Sequence, residues 1–224
     1  MTYEMKILKG LFQPGTSLYQ LQRAETMTGV IPKLLLLYLV ALISIAVSTY
    51  FGIGAETYSG TITEQNKAEF EAGKLLVFGG KLASSVLYTT LFIWLAALFF
   101  WIMLDISYLK AVIVQMFVFT IHLFEQAITV PILVLFDLNQ VSNPFSFGVI
   151  SQYLFKNEFW QHFFGSITLF HFLAISVLFY YLKNLSDRNK FGTLTVIVLF
   201  YLIIWMLTAL MAYVEVPVIV RRVL

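Results

Sequence analysis

Charged residues leave long gaps along this chain. Leu34 to Ala55 carries no charge, and neither does Leu82 to Leu104. Ala111 to Phe136 is interrupted only by Glu125, and the runs Phe159 to Leu182 and Phe191 to Val214 are again charge-free. About 20 apolar residues in a helix span the ~30 Å hydrocarbon core of a bilayer. Within these runs the apolar residues are continuous, as in Leu194-Thr195-Val196-Ile197-Val198-Leu199-Phe200, and do not alternate as barrel strands do. Backbone amides in lipid need internal partners, so the runs predict helices. The pattern therefore predicts an all-α membrane protein: a five-helix transmembrane bundle with spans at about 32–53, 82–104, 111–136, 161–182 and 193–214. Residues 1–30 form a separate amphipathic lead, and 31–224 the transmembrane domain. A secretory signal has a shorter charged lead and a shorter apolar core, so the first run, Pro32 to Ile53, is expected to be retained.

The segments between the spans add interfacial elements. In the lead, Ile7, Leu8, Leu11 and Phe12 crowd around Lys6 and Lys9 before Pro14-Gly15 breaks the run. Ser17 and Gln20 have capping-box spacing. One or two short helices lying on the membrane surface are expected there. Glu56 to Lys74 mixes acids and bases and reads as a solvated loop, or as a partner site. Asn143-Pro144 marks a turn, and the aromatic stretch after it predicts an amphipathic helix from about Val149 to Phe159 on the outer leaflet.

Composition agrees with this picture. Of the 224 residues, 60% are hydrophobic and 12% charged, about half the charge of a soluble domain. The absence of cysteine removes disulfides and thiolate metal sites. A formal charge of +2 gives no basis for nucleic-acid binding. With five spans the termini lie on opposite sides. A cytoplasmic N-terminus puts eight Lys and Arg in the inner segments and six in the outer ones, which favours that orientation, with the C-terminus extracytoplasmic.

Glu125 is the only acid well inside a span. Placing a charge at the bilayer centre costs about 2.5–3.5 kcal/mol, so it should face the bundle interior. His122 lies one turn away on the same face, with Gln115, Gln126 and Thr129 near that side. His171 falls near the midpoint of the fourth span, at the depth of Glu125. The four residues His122, Glu125, Gln126 and His171 thus form a candidate intramembrane polar cluster near the midplane. Two readings stay open: a proton or ligand site, or a hydrogen-bonded knot that fixes helix packing. Small residues (Ala41, Ser44 and Ser48; Ala96-Ala97) line packing seams that also leave association with a second copy of the chain open.

Enzyme signatures are missing. There is no His-Glu-x-x-His and no phosphate-binding Gly-x-x-x-x-Gly-Lys-Ser/Thr loop. His122-x-x-Glu125 supplies two metal ligands where a catalytic zinc usually needs three. Gly165-Ser166 lacks the following glycine of an intramembrane serine protease. No catalytic residue, metal or cofactor is expected.

The segment Ile7-Leu8-Lys9-Gly10-Leu11-Phe12-Gln13-Pro14 resembles the amphipathic lead, ending in Phe-x-Pro, of the bacterial branch of the Yip1-domain family. Pro32 before the first span, Leu169-Phe170-His171-Phe172-Leu173 in the fourth, and the Lys183 to Lys190 link with Ser186 extend the resemblance over nearly the whole chain. Thr168 and Leu173 stand where the family has Asp and Trp. The Asp-Leu-Tyr-Gly-Pro motif of eukaryotic members is absent, and with it the basis for Rab GTPase binding. The resemblance implies a non-enzymatic accessory protein of the bacterial cytoplasmic membrane. Its implied partners are membrane lipid and the permease, ATPase and membrane-fusion subunits of an ABC-type exporter that confers resistance to a toxic peptide. A small transporter or channel using the Glu/His cluster, and a membrane-shaping protein acting through its amphipathic segments, are the alternatives.

Overall fold

The computed structural model describes residues 2–53, 67–138 and 142–214, nearly all of them helical. Strand β1 (Thr2–Glu4) is followed by helices α1 (Ile7–Phe12) and α2 (Pro14–Gln22). Pro14 begins α2, where its missing N–H removes no helical bond. Strand β2 (Thr26–Thr28) then pairs in parallel with β1, Tyr3 opposite Met27. Gly29, left-handed at φ 73°, turns the chain into α3 (Val30–Tyr50). Helix α4 (Lys67–Thr90) passes through one π-helical turn, Leu91–Leu95, into α5 (Ala96–Leu104). Asp105, at φ 51°, closes α5, and α6 (Tyr108–Leu135) starts three residues later. Two short helices, α7 (Gly148–Leu154) and α8 (Glu158–Gly165), precede α9 (Leu169–Leu185) and α10 (Lys190–Tyr213).

Among the described residues four helical segments are long and apolar enough to cross a membrane: Val30–Tyr50, Gly73–Leu104, Tyr108–Leu135 and Lys190–Tyr213. Helix α9 is equally apolar but has 17 residues. This is an all-α membrane protein whose five long helical segments alternate in direction. One end, the base, gathers the end of α5, the start of α6 and the end of α9. There Ser186 Oγ donates to the Leu104 carbonyl (2.7 Å), Lys110 Nζ to that of Gln22 (2.9 Å), and Gln22 Nε2 to that of Asn184 (2.6 Å). At the opposite end Lys81 Nζ reaches the Ile53 carbonyl (3.0 Å), and Phe159 stacks edge-on against Tyr213.

Helix α6 is the axis. Every residue from Ala111 to Leu123 is buried, which requires neighbours on all sides. They are α1, α3, α5 and α9. Tyr3, Met5, Ile7, Leu18 and Leu21 of the N-terminal lead belong to the same core as the spans. Gly10 lies so close to the Phe117 ring that a Cβ there would sit 2.2 Å from Cζ. The Tyr181 hydroxyl donates to the Gly10 carbonyl (2.7 Å), and the Tyr3 and Ser17 hydroxyls bond at 2.9 Å. Burial pushes the Tyr3 phenol above its ordinary pKa. The lead is a cap keyed into the bundle, and only part of its surface is free.

Several boundaries differ from the sequence expectation. The second long helix is already formed at Lys67, well before Leu82, because the Lys, Glu, Ala and Leu residues ahead of the apolar run are good helix formers. The expected outer helix over Val149 to Phe159 is two helices. Asn157 separates them, its side chain accepting from the Phe159 N–H (2.9 Å) to cap the second. The fourth span begins at Leu169, not at residue 161, because Thr168 caps α9. The small parallel sheet is not expected from the apolar pattern; three-residue strands leave no periodicity to read. Asn143 does make the expected turn, its Oδ1 accepting from the Phe145 N–H (3.0 Å). Glu56 and Glu64 of the polar loop, and Arg221 and Arg222, lie outside the described residues.

Candidate functional site

Helix α6 carries His122, Glu125, Gln126 and Thr129 along one face. His122 Nδ1 lies 3.3 Å from Glu125 Oε2, both side chains buried. Gln126 is half-buried and accepts from Ser44 Oγ of α3 at 2.9 Å, so the Ala41/Ser44/Ser48 seam faces α6. His171 of α9 packs its ring edge-on against His122, centroids 5.1 Å apart, and against Trp205 and Tyr201 of α10. The structure thus brings all four residues of the expected cluster to one place. Gln115 is separate, two turns nearer the base, ~10 Å along α6.

The depth differs from expectation. His171 is in the first turn of α9, not at the middle of a span. Its Nδ1 accepts from the Thr168 backbone N–H (3.0 Å) and closes a capping box with Thr168. Glu125 lies about 26 Å along α6 from Tyr108, counting ~1.5 Å per residue. The cluster therefore sits towards the end away from the N-terminal cap. The shift follows from the start of α9. The apolar run Phe159 to Leu182 hides the break at Ser166 to Thr168, and Thr168 with His171 three residues on was the available signal.

Around the cluster is a chamber of about 430 Å³. His122, Glu125, Gln126 and Thr129 form one wall, Ser44 and Ser48 of α3 another, and Lys81, Ser84 and Tyr88 of α4 a third. Two of its buried polar atoms, His122 Nε2 and Thr129 Oγ1, have no hydrogen-bond partner. Tyr88, Lys81 and Asn143 are chamber residues that the sequence does not announce as such, since Lys81 reads as the border of an apolar run, Asn143 as a turn and Tyr88 as one ring among many. Among the described residues no three acidic or imidazole side chains take an arrangement that could hold a metal ion.

The interfacial residues divide between two surroundings. Ile7 is buried and Leu11 and Pro14 are half-buried, whereas Leu8 is 58% and Phe12 77% exposed. Compared with family models, curated proteins and solved structures, the chain matches none.

Proposed function

We propose that this chain is a non-enzymatic accessory subunit of the bacterial cytoplasmic membrane that holds a transporter complex, of the ABC-exporter type, through contacts in the bilayer and at its cytoplasmic surface. The observation that carries this reading is the divided N-terminal cap. Ile7 and Gly10 lock into the bundle while Leu8 and Phe12 of the same short helix point away from it beside Lys9. Such an apolar and basic surface, held rigid at the level of the lipid headgroups, suits a partner subunit or lipid lying against it. The base also collects Lys110, Lys183, Arg188 and Lys190 near the cap, which favours a cytoplasmic base. The resemblance to the bacterial Yip1-domain family supports the same assignment and names the permease, ATPase and membrane-fusion subunits as partners.

Purification of the tagged chain in mild detergent should recover those subunits. A Leu8→Glu/Phe12→Glu variant should lose them while keeping its thermal midpoint, because both positions are exposed. Recovery of the chain alone from every membrane preparation refutes the reading. The polar chamber favours a second one, a small transporter that moves a proton or ligand by way of Glu125. Flux in proteoliposomes that persists in Glu125→Gln removes it.

A further inference from the structure

A cleft of about 250 Å³ is lined only by residues of the N-terminal cap. Strand β1 supplies Tyr3 and Glu4, helix α1 and its N-cap supply Lys6 and Lys9, and α2 supplies Ser17 and Gln20. Ser17 and Gln20 do not make the capping box that their spacing suggests. Helix α2 begins at Pro14 with Gln13 as its N-cap, so the pair stands inside the helix, one turn apart, with both residues on the cleft. The floor is firmly built: Tyr3 and Ser17 are each 2% exposed, and their hydroxyls bond each other at 2.9 Å. The Glu4 carboxylate is paired with Lys6 at 3.0 Å.

Lys9 is the exception. It is half-buried, and among the described residues its ammonium group has no acid, carbonyl or ring as a partner. A cation drawn partly out of water without a counter-charge is costly. An ammonium group only donates, so the missing partner is an acceptor, and by charge an anion. Lys6 has N–H groups left beyond the one that faces Glu4, and the Gln20 amide can donate from the facing helix. With two lysines and one glutamate the lining carries a net charge of +1, which a monoanion balances. Donors converging from two helices suit the several oxygens of a phosphate, where a carboxylate offers only two. The cleft is smaller than the ~300–1,000 Å³ of sites for drug-sized molecules, so it suits a headgroup.

We infer that the cleft binds the phosphate of a phosphodiester headgroup, held by Lys9 with Lys6 and Gln20. Membrane phospholipid is its source, because Leu8 and Phe12 of the same short helix are exposed apolar neighbours of Lys9. The site rests on the cap lying at the level of the headgroups, as proposed above, and on no partner subunit. Recovery of the chain without transporter subunits therefore leaves it standing.

The test is native mass spectrometry of the detergent-solubilised full chain, titrated with phosphatidylglycerol, diacylglycerol, diacylglycerol hemisuccinate and glycerophosphoglycerol. One saturable phosphatidylglycerol per chain is expected, bound at least about tenfold tighter than diacylglycerol, as charge-assisted hydrogen bonds provide. Lys9→Gln should remove that preference and keep the thermal midpoint, since the ammonium group bonds nothing in the protein. Gln20→Glu, at an exposed position, should remove it too by adding an acid to the cleft. Lys190→Gln, at a lysine of the base outside the cleft, should leave it intact. Equal losses in Lys9→Gln and Lys190→Gln would mean diffuse surface charge and overturn the site. Hemisuccinate bound as tightly as phosphatidylglycerol overturns the assignment to phosphate. Glycerophosphoglycerol, the same headgroup without its chains, bound as tightly as the lipid overturns the membrane as the source.

Discussion

The two ends of this molecule satisfy their polar groups in opposite ways. At the base, hydroxyls, amides and an ammonium group reach backbone carbonyls across the junction of cap and bundle. Tyr181 bonds Gly10, Ser186 bonds Leu104, and Lys110 bonds Gln22. Towards the other end, His122 Nε2 and Thr129 Oγ1 are buried with no partner. Gln115 Nε2, nearer the base on α6, and Trp205 Nε1 of α10 are unpartnered too, so the contrast lies in the bonds that cross the junction and hold cap and bundle together. A buried polar atom left unpaired costs stability, and each such atom calls for an explanation. The base is held by bonds between cap and bundle, whereas the chamber keeps polar atoms that its own walls do not pair.

The contrast predicts substitutions of opposite sign. The largest loss is expected from Leu21→Ala in the cap, where a side chain 0% exposed leaves a hole costing about 2–5 kcal/mol. Thermal unfolding in detergent measures it; a midpoint equal to wild type would mean that the cap is not part of the core. Gly10→Val comes next, because its added atoms meet the Phe117 ring, at about 1–3 kcal/mol for overpacking. Tyr181→Phe should cost about 1–2 kcal/mol by leaving the Gly10 carbonyl buried without its donor. Thr129→Val in the chamber should act the other way and raise the midpoint, by roughly 1 kcal/mol, since it removes a buried hydroxyl that bonds nothing. Loss of stability there as large as at the base would erase the distinction between the ends. The smallest effect concerns pH. Burial raises the folded-state pKa of Tyr3, so the unfolded chain ionises first and stability falls as pH rises above ~10. Tyr3→Phe should flatten that part of the decline relative to wild type, as a pH series of unfolding midpoints would record.

Much of this was readable from charge spacing. Runs without charge predict α3, α5, α6 and α10, because lipid tolerates few ionised groups and the helix is the one way to pair the backbone within a run. Spacing could not place the ends of helices whose apolar content continues past them. Phe159 to Leu182 is one run in sequence but two helices in space, separated by a cap that only Thr168 and His171 announce. That hidden cap puts His171 in the first turn of α9 and not at the middle of a span. Its company is unchanged, since residues on facing helices at one level meet wherever that level lies. The chamber itself is hidden in the sequence because Ser44, Ser48, Ser84 and Tyr88 carry no distinctive signal in an apolar helix, and Lys81 and Asn143 read as the ends of their segments. The fit of Gly10 against Phe117 was equally hidden, because a glycine in a short helix announces no neighbour.

The helical rod Gly73–Leu104 has 32 residues and is free of charge from Leu82 onward, whereas α9, which runs through the same bundle in the opposite direction, has 17. At ~1.5 Å per residue the charge-free part alone is about 9 Å longer than α9. No slab of uniform thickness suits both upright. The long rod must lean or the bilayer must thin beside the short one, at a cost of fractions of a kcal/mol per ångström of mismatch. A bundle with spans of two lengths is expected to respond to the acyl-chain length of its host lipid.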